Sequence, residues 1–179
     1  MAVVHDRGRR TTERTSWGRT AVGHVLQVDA RTGASKLLFS DTSDLWINLS
    51  DDLHPLKDGS IIFSSERSGF RHLYRWNDGR IEPLTSGAWP VSKIAGIDEA
   101  AGRLYFLANR DHSIEYHLFA LDFSRPGAAP QQLTRPGTNN SAVMDESGRL
   151  AIITTSFPGQ PSQVWLADGS GRRGPTAGQ

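Results

Sequence analysis

At 179 residues, of which 37% are hydrophobic, the chain has the size and apolar content of one ordinary core-forming domain, which excludes disorder throughout. Lys plus Arg, 20, nearly balances Asp plus Glu, 19, for a net charge of +1, so there is no electrostatic case for nucleic acid or an acidic membrane as partner. With no cysteine, a disulfide framework, a thiol nucleophile and a thiolate metal site are all excluded.

Met1 to Thr20 carries Arg7, Arg9, Arg10, Arg14 and Arg19 against Asp6 and Glu13, and it lacks the apolar core of a secretory signal. Residues 1–22 read as a flexible basic N-terminus. No apolar run reaches the roughly 18–20 residues that a membrane helix needs.

The apolar pattern begins at Gly23. His24 to Asp29 alternates Val25, Leu26 and Val28, a turn through Asp29-Ala30-Arg31-Thr32-Gly33 follows, and Ser35 to Phe39 is apolar again, predicting a hairpin. Asp44 to Asp52 reads as a connection between sheets. Leu53 to Leu56 then leads into three short strands, Ser60 to Ser64, His72 to Trp76 and Arg80 to Leu84, rich in β-branched and aromatic residues. Asn77-Asp78-Gly79 is the clearest turn in the chain, because these residues tolerate the positive φ of a tight hairpin.

The pattern recurs. Ser92 to Asp98, Arg103 to Ala108, Tyr116 to Phe123 and Gln131 to Thr134 predict a second set of four strands. Ser141 to Met144, Arg149 to Thr155 and Gln163 to Ala167 predict a third that lacks its last strand. Leu73-Tyr74, Leu118-Phe119 and Val164-Trp165 occupy equivalent places, 45 and 46 residues apart. Four short strands per repeat of that period predict β-propeller blades, and no stretch sustains the 3.6-residue period of a helical solenoid.

The expected fold is therefore all-β: a partial β-propeller of about three four-stranded antiparallel blades over residues 23–167, followed by a flexible tail, 168–179. Such propellers close with roughly four to eight blades. The ring is thus expected to be incomplete, a fragment of a larger protein or one arc of an oligomer, with open blade edges available for self-association.

Three stretches carry a family resemblance: Leu45-Trp46-Ile47-Asn48-Leu49, Ser64-Ser65-Glu66-Arg67-Ser68-Gly69-Phe70-Arg71-His72-Leu73-Tyr74 and Leu84-Thr85-Ser86-Gly87-Ala88-Trp89-Pro90-Val91. Together they resemble the late blades of the N-terminal propeller of dipeptidyl peptidase IV-type proteases. Ile97-Asp98-Glu99, Arg103-Leu104-Tyr105-Phe106, His117-Leu118-Phe119 and Gln132-Leu133-Thr134 look like the next blade in order. The resemblance implies a serine exopeptidase that removes Xaa-Pro or Xaa-Ala dipeptides, with an eight-bladed propeller capping an α/β-hydrolase domain.

Most of the family's apparatus has no counterpart here. The chain contains no Glu-Glu dipeptide to hold a substrate amine and no Gly-x-Ser-x-Gly nucleophile elbow. No catalytic residue is expected. The function that the resemblance implies is a substrate-access and orienting segment, inert alone, whose partners are the peptide substrate and the α/β-hydrolase domain of the parent protease. A stand-alone, self-associating propeller-like interaction module is the alternative.

By the same resemblance, Trp46, Asn48 and Ser50 are the substrate-binding candidates, against the plainer reading of a packed aromatic and a turn. Glu66 and Arg67, at a strand end, are candidates for a structural ion pair or an interdomain anchor. Ser64, Ser65 and Ser68 near His72 read as strand and turn residues. His112 and His117 with Asp111 and Glu115 lack metal-site spacing, so neither a metal nor a cofactor is expected.

Overall fold

The computed structural model describes residues 2–6, 21–43 and 52–174. Every regular element among them is a strand, fourteen in all, arranged in four antiparallel sheets. This is the all-β partial β-propeller architecture that the repeat predicts, built from two compact units, 1–83 and 84–179.

In the first unit, β1 (Ala2–Asp6), β2 (Ala21–Val28) and β3 (Ser35–Ser43) form one sheet in that order. β1 falls within the stretch expected to be a flexible arm; it pairs with β2 from Ala2↔Val28 to Asp6↔His24 and gives the predicted hairpin a third strand. The turn between β2 and β3 is closed by Asp29, whose carboxylate accepts from the backbone N–H of Arg31 at 2.8 Å. The second sheet runs β4 (Leu53–Pro55), β5 (Ile61–Ser65), β6 (His72–Asn77), β7 (Arg80–Pro83). Asp78 and Gly79, at φ 45° and 84°, make the two-residue turn between β6 and β7, both central residues in the positive-φ region as a type I′ connection requires.

These two sheets share a core. Val25 and Phe39 meet Ile61, Phe63 and Tyr74, and the Phe39 ring lies 4.7 Å from that of Phe63 and 5.8 Å from that of Trp76. Ile61, Ile62 and Phe63 are consecutive and all buried, so β5 is covered on both faces, which explains its unbroken apolar sequence.

The second unit repeats the scheme. β8 (Val91–Asp98), β9 (Arg103–Ala108), β10 (His117–Asp122) and β11 (Gln131–Gln132) form a four-stranded sheet in sequence order. β12 (Asn139–Met144), β13 (Leu150–Phe157) and β14 (Gln160–Asp168) form a three-stranded one. Tyr105, Leu107, Leu118 and Ala120 pack against Ala142, Ala151, Ile153 and Ala167, large side chains of one sheet against mainly small ones of the other. Gly96 lies where β8 is irregular; a Cβ there would stand 2.6 Å from that of Met144, so only glycine allows β8 and β12 to come so close.

Past β14 the chain does not trail away at once. The Asp168 carboxylate accepts from the Ser170 and Arg172 N–H groups, and Arg173 bridges back to Ala167 in antiparallel fashion. Residues 168–174, part of the expected flexible tail, thus form a turn and the first bridge beyond β14.

Strand β13 alternates strictly enough for a direct check, with Ile153 fully buried and Ile152 53% exposed. Ile153→Ala should cost about 2–5 kcal/mol of stability in urea unfolding, and Ile152→Ala within about 0.5 kcal/mol. A second expectation concerns the turn between β12 and β13, where Asp145 accepts from the N–H groups of Leu150 and Arg149, at 2.9 and 2.8 Å, and from the Ser147 hydroxyl. These bonds, the Leu150 N–H foremost, hold its carboxyl at about 2, below the ordinary 3.8. Because the folded value is the lower one, the turn is fully supported above the ordinary value and loses that support as pH falls through about 2. An NMR titration of the Asp145 carboxyl should find its midpoint near 2, and Asp145→Asn should remove the acid sensitivity of the neighbouring amides.

Candidate functional site

The segment joining β5 to β6, Glu66-Arg67-Ser68-Gly69-Phe70-Arg71, carries the most distinctive sequence in the chain. It turns tightly because the Gly69 N–H reaches the Glu66 carbonyl at 2.9 Å with Gly69 at φ 94°, a conformation that favours glycine. That turn directs Arg67 back over its own sheet. The guanidinium lies 5.4 Å from the Phe63 ring centroid and 5.1 Å from that of Tyr74. Its Nη2 donates to Asp41 Oδ1 at 2.8 Å and its Nε to Ser65 Oγ at 3.2 Å. Ser65 Oγ donates in turn to the same Asp41 oxygen at 2.6 Å.

Arg67 is therefore tied to the neighbouring sheet through Asp41, a buried carboxylate near the end of β3. Here a charge-assisted pair and two aromatic faces act together on one guanidinium. Asp41 lies 26 residues from Arg67, and no local pattern in the sequence links them.

Arg71 makes a second tie within the unit, donating to Ser64 Oγ at 3.1 Å and to Asp52 Oδ2 at 3.0 Å. Two residues on from Asp52, burial pushes the His54 imidazole below its usual value, with the Asp52 charge opposing that shift. Arg75 joins Asp58 at 2.6 Å and Ser60 at 3.0 Å. Arg67, Arg71 and Arg75 thus each engage both a carboxylate and a serine hydroxyl.

The serines near His72 serve this framework. Ser64 accepts from Arg71, Ser65 donates to Asp41, and the Tyr74 hydroxyl donates to Ser68 Oγ at 2.8 Å, while His72 itself is buried in β6. A nucleophile needs an exposed, strained turn beside a base, and Ser65, buried against a carboxylate, does not have one.

His117, five residues after His112, is a core residue at the start of β10. Its Nδ1 lies 3.0 Å from Thr134 Oγ1 and its Nε2 3.1 Å from Glu115 Oε2. The Gly137 N–H and the His117 imidazole hold the Glu115 carboxyl below its usual value. Among the described residues no three His, Asp or Glu side chains gather into a group able to hold a metal ion. Trp46, Asn48 and Ser50 lie outside the described residues.

Short antiparallel sheets in sequence order, with a clamp between two neighbouring sheets and chemistry spent on structure, define a propeller-blade protein. The model of the dipeptidyl peptidase IV N-terminal region matches residues 19–162, and the chain belongs to that family. A probable dipeptidyl peptidase 4 of Aspergillus flavus is 32% identical over 109 residues, covering 60% of this chain and 14% of that protein. Human dipeptidyl peptidase 8 is 28% identical over 164 residues, covering 73% of this chain and 18% of its own length. The crystal structure of Porphyromonas gingivalis dipeptidyl peptidase 4 shares the fold with a TM-score of 0.76 at 22% identity, over 85% of this chain and 22% of that one. The chain therefore spans less than a quarter of each of these proteins.

The clamp yields a quantitative expectation. Asp41→Ala and Arg67→Ala should each destabilise the first unit by about 1–3 kcal/mol, since each leaves a partner charge partly buried and unpaired. The double variant should cost less than the two singles together, by about 1 kcal/mol, as a double-mutant cycle in urea would record.

Proposed function

We propose that this chain is the substrate-access and orienting segment of a dipeptidyl peptidase IV-like serine exopeptidase, with proteolysis belonging to the parent protein and not to this segment. The observation that carries the reading is the family match across residues 19–162, in a chain without a nucleophile elbow. The blades supply rigid walls. Connections between strands are where such a scaffold meets a ligand, and we assign Trp46, Asn48 and Ser50 to the peptide.

In this division of labour the arginine clamps have a structural purpose. A wall that orients a peptide must hold its loops within a fraction of an ångström, and Arg67 and Arg71 fix both ends of the β5–β6 connection. We assign Arg67 to that support and not to substrate. The α/β-hydrolase domain that would complete the enzyme is its partner in the parent protein.

Two measurements test the reading. The coding sequence flanking this chain should encode further blades upstream and a Gly-x-Ser-x-Gly segment downstream; an unrelated neighbourhood would overturn the assignment. The chain alone should give no turnover of an Xaa-Pro chromogenic dipeptide, whereas cleavage abolished by a serine-directed phosphonate would show chemistry that the reading denies.

A further inference from the structure

Among the described residues of the second unit, a concavity of about 430 Å3 opens where the end of β11, the start of β12, the β13–β14 hairpin and the turn after β14 come together. That volume suits a small molecule. Its lining includes Arg135 and Arg173 and no Asp or Glu, a local excess of positive charge in a chain whose net charge is only +1. Neither guanidinium has a carboxylate partner among the described residues, whereas Arg67, Arg71, Arg75 and Arg110 each have one.

Each guanidinium nonetheless lies over an aromatic ring. Arg135 lies 5.8 Å from the Phe157 ring centroid and Arg173 lies 5.5 Å from that of Trp165. Stacking on an aromatic face restrains the planar fork and leaves its N–H groups along the edge available to a ligand.

The floor is rigid and polar. Asn140 and Thr155 are buried; Thr155 Oγ1 donates to Asn140 Oδ1 at 2.8 Å and accepts from Trp165 Nε1 at 2.9 Å. Asn140 Nδ2 also donates to Thr138 Oγ1 at 2.9 Å and to the Tyr116 carbonyl at 3.0 Å. The floor therefore needs no rearrangement to receive a ligand, which lowers the cost of binding.

We propose that this concavity binds a small organic carboxylate with a planar apolar body, the carboxylate taken by Arg135 and Arg173 and the body lying toward Trp165 and Phe157. Guanidinium forks pair with carboxylates in two parallel hydrogen bonds, and the absence of acidic groups from the lining removes the repulsion that would reject an anion. The aromatic walls favour a flat organic acid over a compact, fully hydrated inorganic anion. The site does not depend on the proposed peptidase role.

The Trp165 indole N–H, fixed to Thr155 at the floor, supplies the readout in NMR titrations of the full chain. Benzoate should shift it saturably with a Kd of about 1–10 mM, while benzamide, its neutral counterpart, should not. Arg135→Gln and Arg173→Gln should each weaken benzoate binding about fivefold or more, with the spectrum of each variant reporting that it is folded. Should either variant fail to fold, the wild type decides: affinity that falls with rising salt supports the site, and salt-independent affinity overturns it. No saturable shift, an equal response to benzamide, or unchanged binding in folded Gln variants would also overturn it. Inorganic phosphate displacing benzoate at equal or lower concentration would overturn the assignment of a planar organic acid.

Discussion

The structure depends on sheets laid face to face, with the central strands β5, β9 and β10 covered on both sides. β5, β9 and β10 bury nearly every residue, and a strand of that kind has no solvent face to turn outward. Each such sheet requires a neighbour. In the first unit that neighbour is β1–β2–β3, joined through Phe39, Phe63 and Trp76; in the second it is β12–β13–β14, joined through Ile153 and a row of alanines. At roughly 25 cal/mol per Å2 of apolar surface removed from water, these interfaces are the main favourable contribution to folding, and the charged clamps act at their margins.

Polar side chains are used for alignment. Asp29, Asp58, Asp122, Asp145 and Asp168 each start a turn and accept backbone N–H groups a few residues on, so that successive connections are closed by one device. Asp41 with Arg67 and Asp52 with Arg71 then fix the connection that follows β5. The net charge is only +1, and these carboxylates and guanidinium groups are spent on turns or in pairs with one another.

Family membership gives this economy a purpose. In this member of the dipeptidyl peptidase IV N-terminal family, serines and histidines around β5, β6 and β10 are bonded into the scaffold. Ser65 and His117, the residue types that a search for catalysis would select first, are buried and bonded to Asp41 and to Glu115 and Thr134. In the second unit Arg135 and Arg173, with no carboxylate partner among the described residues, line the concavity proposed to take an anion.

Strand positions from residue 24 onward, the turn at Asp78-Gly79 and the repeat of four short strands were legible in the sequence, because alternation, β-branching and turn chemistry act within a few residues. The family resemblance rested on several stretches, Ser65-Glu66-Arg67-Ser68-Gly69-Phe70 the most specific among them. Neither β1, which is held by pairing with the distant β2, nor the turn at Asp168, within the expected flexible tail, was legible in this way. Asp41 could not be matched to Arg67, nor Trp165 to Thr155 and Asn140, from their spacing in the chain. The sequence by itself determined the blades, since each strand and hairpin is encoded by neighbours. Which carboxylate meets which arginine, and which arginines come to line a polar floor, was decided only when sheets stacked, because burial and charge pairing depend on residues brought together across tens of positions.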